Sequence, residues 1–539
     1  MNRRGTRPAR CRRYVLQAFC LLLALSTYPA QANPAILVNH QGLAQQDLSI
    51  RGSSYTGTGI SINGLNLKVP YSAHFNSELP IFGSLLSNPA TQYGLGNASG
   101  HLVGTAAYTT VPQEQNGEAG ATIGTREHYS ANASAFASGV GGFLEGEKAR
   151  RVDYNENDYD RYAGGAHIQH FANDWQIDLI GAGQKKDFGA QGYYGQDPAT
   201  YAEQKTEDAL VFLGATHGEL DDAYFRTSAA WRQFDDEIIG LTPIARNVRS
   251  RFGAMAIEGR TIEIQHIALN LRGDVENEYA DGRDRTRGSV LVLPEARFER
   301  VTLKVGLNSV FQSSEAAEWL PQAGIDWFAT DNSQIYASYS ETVRQPDFQS
   351  LESEPLLQMQ KSQNSELGLR QFLSASLDWR AAVFHRRLEN ASDWIGATTA
   401  IDLGTLNVAG LETGISYYPS DRLKLNAFYQ WVHKDNNRTD GFYELDYPEH
   451  LLNLSAYWNF LNEFALEFAQ TTRYQTENDA RTSSDFGADA SLGLHYLPRF
   501  ANNVRLSFRV ENLWGSNFQA IPGLKPRPTA ISTGITVTW

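Results

Sequence analysis

The chain has 539 residues, 42% of them hydrophobic and 20% charged, with a formal net charge of −14. So acidic a protein makes a poor partner for nucleic acid, whose phosphates call for a basic surface. Its two cysteines are Cys11 and Cys20, so everything after residue 20 is free of disulfide and thiolate chemistry.

The first predicted element is a leader. Arg3, Arg4, Arg7, Arg10, Arg12 and Arg13 precede an apolar run from Tyr14 to Ser26, and Ala30-Gln31-Ala32 follows as a small-x-small site. That order predicts a secretory signal peptide over residues 1–32. Its loss removes six arginines and no acids, which takes the net charge to −20. The apolar run is too short to span a bilayer, and no later stretch reaches the roughly 20 apolar residues of a transmembrane helix. If this chain crosses a membrane, strands must do it.

Residues 33–111 are glycine-rich, with short strands, little alternation and a run of small residues from Ala90 to Ala107. From residue 112 the pattern changes to alternation broken by turn residues. Leu423, Leu425, Ala427, Tyr429 and Trp431 face one way, and Lys424, Asn426, Phe428 and Gln430 the other. Val504, Leu506, Phe508 and Val510 oppose Arg505, Ser507, Arg509 and Glu511 in the same manner. A dry sandwich core would have to bury those charges without water, whereas a wet lumen accommodates them. The last strand alternates Ile531, Thr533, Ile535, Val537 and Trp539 with Ser532, Gly534, Thr536 and Thr538. One face suits hydrocarbon and the other suits water.

The expected fold is therefore all-β, a transmembrane antiparallel barrel over residues 112–539 preceded by a small, differently patterned N-terminal domain. Its length fits about 22 strands of the ~9–11 residues that spanning needs, and about 16 to 20 strands with longer loops also fit. The 25 tyrosines, 26 phenylalanines and 10 tryptophans suit the aromatic girdles of such a wall.

Two clusters, Asp153 to Asp160 and Asp187 to Tyr201, read as exposed loops. Asp153, Asp158 and Asp160 offer oxygen ligands for a calcium ion in an extracellular loop, although full EF-hand spacing is missing and a solvated loop competes with that reading. No catalytic constellation is visible. The sequence lacks Gly-x-Ser-x-Gly, and His167 and His170 are three apart, which a strand places on opposite faces. An enzyme is not expected.

The motifs define a resemblance. Asp47-Leu48-Ser49-Ile50-Arg51-Gly52-Ser53, Ile60-Ser61-Ile62-Asn63-Gly64, His74 to Pro80 and the glycine-containing stretch from Pro89 to Thr110 resemble, in order, the plug of TonB-dependent outer-membrane receptors. Tyr336 to Phe348, Ser365 to Leu369, Asn407 to Glu412, Val510 to Trp514 and the terminal Trp539 are similar to that family's barrel signposts. The resemblance implies a shortened plug at 33–111 in the lumen of the barrel, a bacterial outer-membrane location in lipid, and import of a scarce small-molecule nutrient, a siderophore or other metal chelate or a corrinoid. It implies an ionic contact of Arg51 with Glu366 and Glu412. By position it points to Tyr55, Lys68, Tyr71 and His74 of the plug, with Tyr193 and Tyr194 of a loop, for substrate contact. His74-Phe75-Asn76 and Trp231 to Glu237 look most like the cobalamin-receptor branch.

The chain departs from the family ahead of Asp47, where the first half of a usual plug and the segment carrying the TonB box have no counterpart. Ala35-Ile36-Leu37-Val38 reads either as the first plug strand or as an edge offered to a partner such as periplasmic TonB by β-augmentation. Ser87-Asn88-Pro89 stands where the family has Arg-Gly-Pro. An uncoupled binding protein or porin-like channel of the same architecture is therefore the alternative.

Overall fold

The computed structural model describes residues 33–539 apart from 42, 98–100, 152–156, 196–199, 221, 241–244, 314, 397 and 525. The leader at 1–32 and Asp153 lie outside the described residues. Twenty-two strands, β7 (Asn116–Gly124) through β28 (Ala530–Thr538), pair antiparallel in sequence order, and β28 closes on β7 to make one barrel.

Alternation builds the wall. Along β12 (Glu203–Gly218), Gln204, Thr206 and Asp208 point inward and are buried, while Val211 and Leu213 face outward at 46% and 48% exposure. Met255, Val275, Val290, Leu367 and Val383 continue the outward apolar belt on other strands. Such a belt is far larger than the few hundred Å² a soluble protein exposes, so hydrocarbon is its natural solvent. An even strand number puts both ends of the wall on one rim. That rim is joined by tight turns such as 138–139, 173–174, 331–332 and 462–463, whereas the opposite rim carries the long connections 345–359, 435–447 and 512–529. The first of these holds a short helix, α1 (Phe348–Ser353), whose amide at Ser350 is capped by the Asp347 carboxylate at 2.9 Å.

The barrel closes under the terminal ring. Gly117 and Trp539 exchange backbone hydrogen bonds of 2.9 and 3.0 Å. A Cβ on Gly117 would lie 2.2 Å from the Trp539 indole, so only glycine lets the ring lie across the seam. Gly117→Val is expected to weaken closure by about 1–3 kcal/mol through overpacking. The loss would appear as a smaller heat-resistant compact fraction on unheated detergent gels.

Residues 33–111 form a two-stranded sheet, β1 (Ile36–Gln41) with β2 (Gln45–Ile50), and a four-stranded sheet. The latter runs in the order β4 (Leu65–Asn66), β3 (Thr58–Ile62), β6 (Gly104–Tyr108), β5 (Ala90–Tyr93), with β3 and β6 parallel. This segment hydrogen-bonds the wall on well-separated strands. Thr110 donates to Asp178 on β11 (Trp175–Gly189) at 2.7 Å, Asn66 to Glu276 on β15 (Ile267–Ala280) at 3.0 Å, and Asn453 on β24 (Pro448–Leu461) to the Pro34 carbonyl at 2.7 Å. Contacts so spread around the cylinder place the segment inside it.

Apolar contact also joins the inner segment to the wall. Ile50, Ile60 and Ile62 pack in one buried cluster with inward-facing Phe212, Phe252, Phe384, Val408 and Val432. The wet lumen inferred from the charged strands thus shares the interior with an apolar contact zone. Ile36, Leu37 and Val38 are buried and paired with β2, which makes them the first strand of the inner segment and leaves them no free edge toward β2. His167 is buried against Asp178 at 2.8 Å while His170 faces outward, on opposite faces as their spacing predicts.

Candidate ligand site and its anchors

Arg51 follows β2 in the left-handed region, with φ of 51°, a conformation that costs a non-glycine residue roughly 1 kcal/mol or more. The reward is a fork. Its Nε and Nη2 donate to both oxygens of Glu412 at 3.0 and 2.8 Å, and Nη1 donates to Glu366 at 2.7 Å. Tyr93 and Phe384 cover the guanidinium with ring centroids 3.8 and 4.3 Å away. The Tyr336 hydroxyl supplies a further donor to Glu366 at 2.6 Å. Burial opposes the positive charge, but Glu412 and Glu366 outweigh it and keep Arg51 protonated well beyond its ordinary range.

Other anchors lie in or engage the stretches that resemble the family, with no contact expected of them. Arg232, on β13 (Tyr224–Ile239), is 1% exposed, holds Asp208 through two bonds of 3.1 and 2.7 Å, and donates to the carbonyls of Phe75 and Glu78 at 3.0 Å each. Lys186 contacts the Glu78 carboxylate and donates to the Ala44 carbonyl at 2.8 Å. Lys434 bonds Glu444 at 2.7 Å and the Gly52 carbonyl at 2.8 Å, and Glu444 in turn accepts from the Ser54 amide at 2.9 Å. The long loop at 435–447 thus folds inward onto the segment carrying Arg51.

Toward the same rim three of the six expected ligand residues meet. Tyr55 stacks on His74 with centroids 3.9 Å apart, Tyr194 lies 5.4 Å from His74, and Tyr443 from the inward loop packs edge-on against both Tyr55 and His74. Asp47 bonds the His74 Nδ1 at 2.9 Å, fixing the ring. With Arg246 and Trp394 these groups line a cavity of about 10 Å³, room for one water. A larger ligand must sit above this cluster or open it. The remaining three lie outside the cluster. Lys68 is held between Glu276 and Glu278 at 2.6 and 3.1 Å, Tyr71 donates to Glu352 at 2.9 Å, and the ring of Tyr193 is fully buried behind Tyr194, edge-on to it at 6.2 Å.

Asp158 accepts from Arg150 at 2.7 Å, and Asp160 lies 3.2 Å from Lys148 and 4.0 Å from Arg150. Cations of the chain itself thus face both carboxylates, and no cluster of three or more acidic, histidine or cysteine ligands occurs among the described residues.

Two histidines of the inner segment, His40 and His101, give it a pH dependence, each pushed down to about 3 chiefly by burial. His101 lies flat over Gly59, where a Cβ would come within 2.1 Å of its ring. Burial, followed by the nearby Lys68, pushes its imidazole down to about 3. Folded His101 is then neutral while the unfolded chain takes up a proton below pH 6.5, so stability is full above that value and is lost as pH falls. Between pH 8 and 5 the loss from His101 is about 2 kcal/mol. Proteolysis of the inner segment should accelerate over that interval in the native protein, and His101→Gln should reduce the dependence while leaving the contribution of His40.

A closed apolar-skirted barrel with an ionically latched occupant defines an outer-membrane receptor barrel. The sequence matches the model of the TonB dependent receptor-like, beta-barrel family over residues 88–513. The chain belongs to that family, which is one of outer-membrane transport receptors and not of enzymes. Among solved structures it is similar to the FrpB iron transporter of Neisseria meningitidis, at 12% identity and a TM-score of 0.74, covering 94% of this chain and 96% of that one. It is also similar to the ferric enterobactin receptor PfeA of Pseudomonas aeruginosa, at 12% identity and a TM-score of 0.73, covering 94% and 95%. A third is the siderophore receptor PiuA of Acinetobacter baumannii, at 15% identity and a TM-score of 0.73, covering 94% and 93%. At these identities the likeness shows the fold alone. No curated protein matches the sequence at a significant level.

Proposed function

We propose that the protein captures an iron chelate at the loop rim and imports it, with residues 33–111 acting as a plug and residues 1–32 as the export leader. The observation that carries this reading is the aromatic cluster of Tyr55, His74, Tyr194 and Tyr443, seated directly on the segment that Arg51 ties to the wall. A ligand bound there touches both the plug and two wall loops, so its arrival is felt at the latch. Rings with polar tips suit a flat, ligand-wrapped metal.

An iron chelate is preferred to a corrinoid because, His74 apart, residues of the stretches similar to the cobalamin branch serve packing. Phe75 and Glu78 give their carbonyls to Arg232, and Trp231 faces outward at 44% exposure. The names of the solved relatives, an iron transporter and siderophore receptors, support the same preference.

Displacing the plug would break the Arg51–Glu366, Arg51–Glu412, Lys68–Glu276 and Lys68–Glu278 pairs together and strip Arg232 from the carbonyls of Phe75 and Glu78. Each buried pair costs about 3–5 kcal/mol to break, so thermal motion does not open the path and an energised periplasmic partner of the TonB type is needed. That argument favours coupled import over the uncoupled binding protein. Equilibrium binding of ferric siderophores and cyanocobalamin to the purified receptor tests the ligand class. Tight binding of a ferric siderophore that weakens about tenfold in Tyr55→Ala or Tyr443→Ala supports the proposal. Binding of cyanocobalamin alone refutes it.

A further inference from the structure

The plug does not fill the cylinder evenly. On β12 the inward Gln204, Thr206, Asp208, Leu210 and Phe212 are all at 4% exposure or less. On the arc around the closure of the barrel stand β7, β8 (His128–Ala137), β26 (Phe486–Tyr496), β27 (Val504–Glu511) and β28. There many inward side chains are small and polar, with Thr122, Ser130, Asn132, Ser507 and Ser532 half-buried and Asp489 exposed, beside the larger His128, His495, Arg509 and Glu511. Between this arc and His40 and Leu43 of the plug runs a cavity of about 250 Å³. Its lining starts with Thr125 and Asn512 at the loop rim. It reaches His495 and Thr536, one and two residues from the turn-rim ends of β26 and β28.

We propose that this gap is a standing aqueous passage that conducts small ions and hydrophilic solutes while the plug stays latched. It is independent of the ligand reading, because the anchors at Arg51, Arg232 and Lys68 all engage other arcs of the wall. Hydroxyl and glycine lining gives water partners without filling the space, and the volume holds on the order of twenty waters. Charges of both signs border it. Arg509 and Arg527 flank Glu511 at 3.4 and 3.7 Å, and Asp489 faces the gap, so neither cations nor anions meet a barrier of one sign. An iron chelate is too large for the gap, so the two routes serve different solutes.

Planar-bilayer recording of the protein purified from outer membranes tests this. The passage predicts an ohmic current with neither ligand nor periplasmic partner present. Residues after Cys20 contain no cysteine, so Thr122→Cys and Ser532→Cys provide clean sites for a bulky thiol reagent. Modification at either should cut the current about fivefold, while modification of Ala133→Cys on the lipid face should not, and Asp489→Lys should move the reversal potential toward anion preference. Heat-resistant compact migration confirms that each variant is folded. A silent native protein, or a current that survives modification at both Thr122→Cys and Ser532→Cys, overturns the proposal.

Discussion

Replacing Arg51 by alanine is expected to cost the plug about 3–5 kcal/mol, because it leaves the Glu366 and Glu412 carboxylates buried together without a cation. The two oxygens of Glu412 that the fork satisfies at 3.0 and 2.8 Å would lose their donors, and only Tyr336 would remain on Glu366. The measurable outcome is a plug that proteases cleave at least tenfold faster in a barrel that stays closed. The triple change Arg51→Met, Glu366→Gln, Glu412→Gln removes all three charges and should recover much of the loss. If Arg51→Ala leaves cleavage unchanged, the latch does not hold the plug.

Arg232→Ala should be comparably severe, again about 3–5 kcal/mol, by isolating the buried Asp208 and stripping a donor from the carbonyls of Phe75 and Glu78. Here the loosened region would be residues 72–80, read by hydrogen exchange of their amides. Pairing the change with Asp208→Leu removes the stranded charge and should restore part of the protection. Protection unchanged in Arg232→Ala would show that the apolar contacts of Phe75 hold this turn by themselves.

Much of this architecture can be read from alternation. Leu506 and Phe508 face outward at 41% and 46% exposure while Arg509 and Glu511 border the lumen, as a period of two requires. The dry side of the lumen was also written in the chain. Leu210, Val211, Phe212 and Leu213 are apolar on both faces, and the structure buries Phe212 under the plug while Leu213 meets lipid. The meeting of Arg51 with Glu366 and Glu412 has no local signature, since the partners lie 315 and 361 residues away, and only the motif resemblance suggested it. Tyr443 and Glu444 lay beyond reach for a different reason. They sit in a loop, where no periodicity tells which side chains turn inward, and their positions follow from tertiary bonds such as Glu444 to the Ser54 amide. Tyr193 and Tyr194 show the same limit: adjacent in a loop, both rings are buried in one apolar cluster, and Tyr194 also packs against His74.

Energised import through a latched plug is tested most directly by uptake of radiolabelled ferric siderophore into cells carrying this receptor, with and without a protonophore that collapses the inner-membrane potential. Accumulation that stops when the potential is lost, with surface binding retained, is the predicted result. Accumulation that continues undiminished without the potential would contradict it.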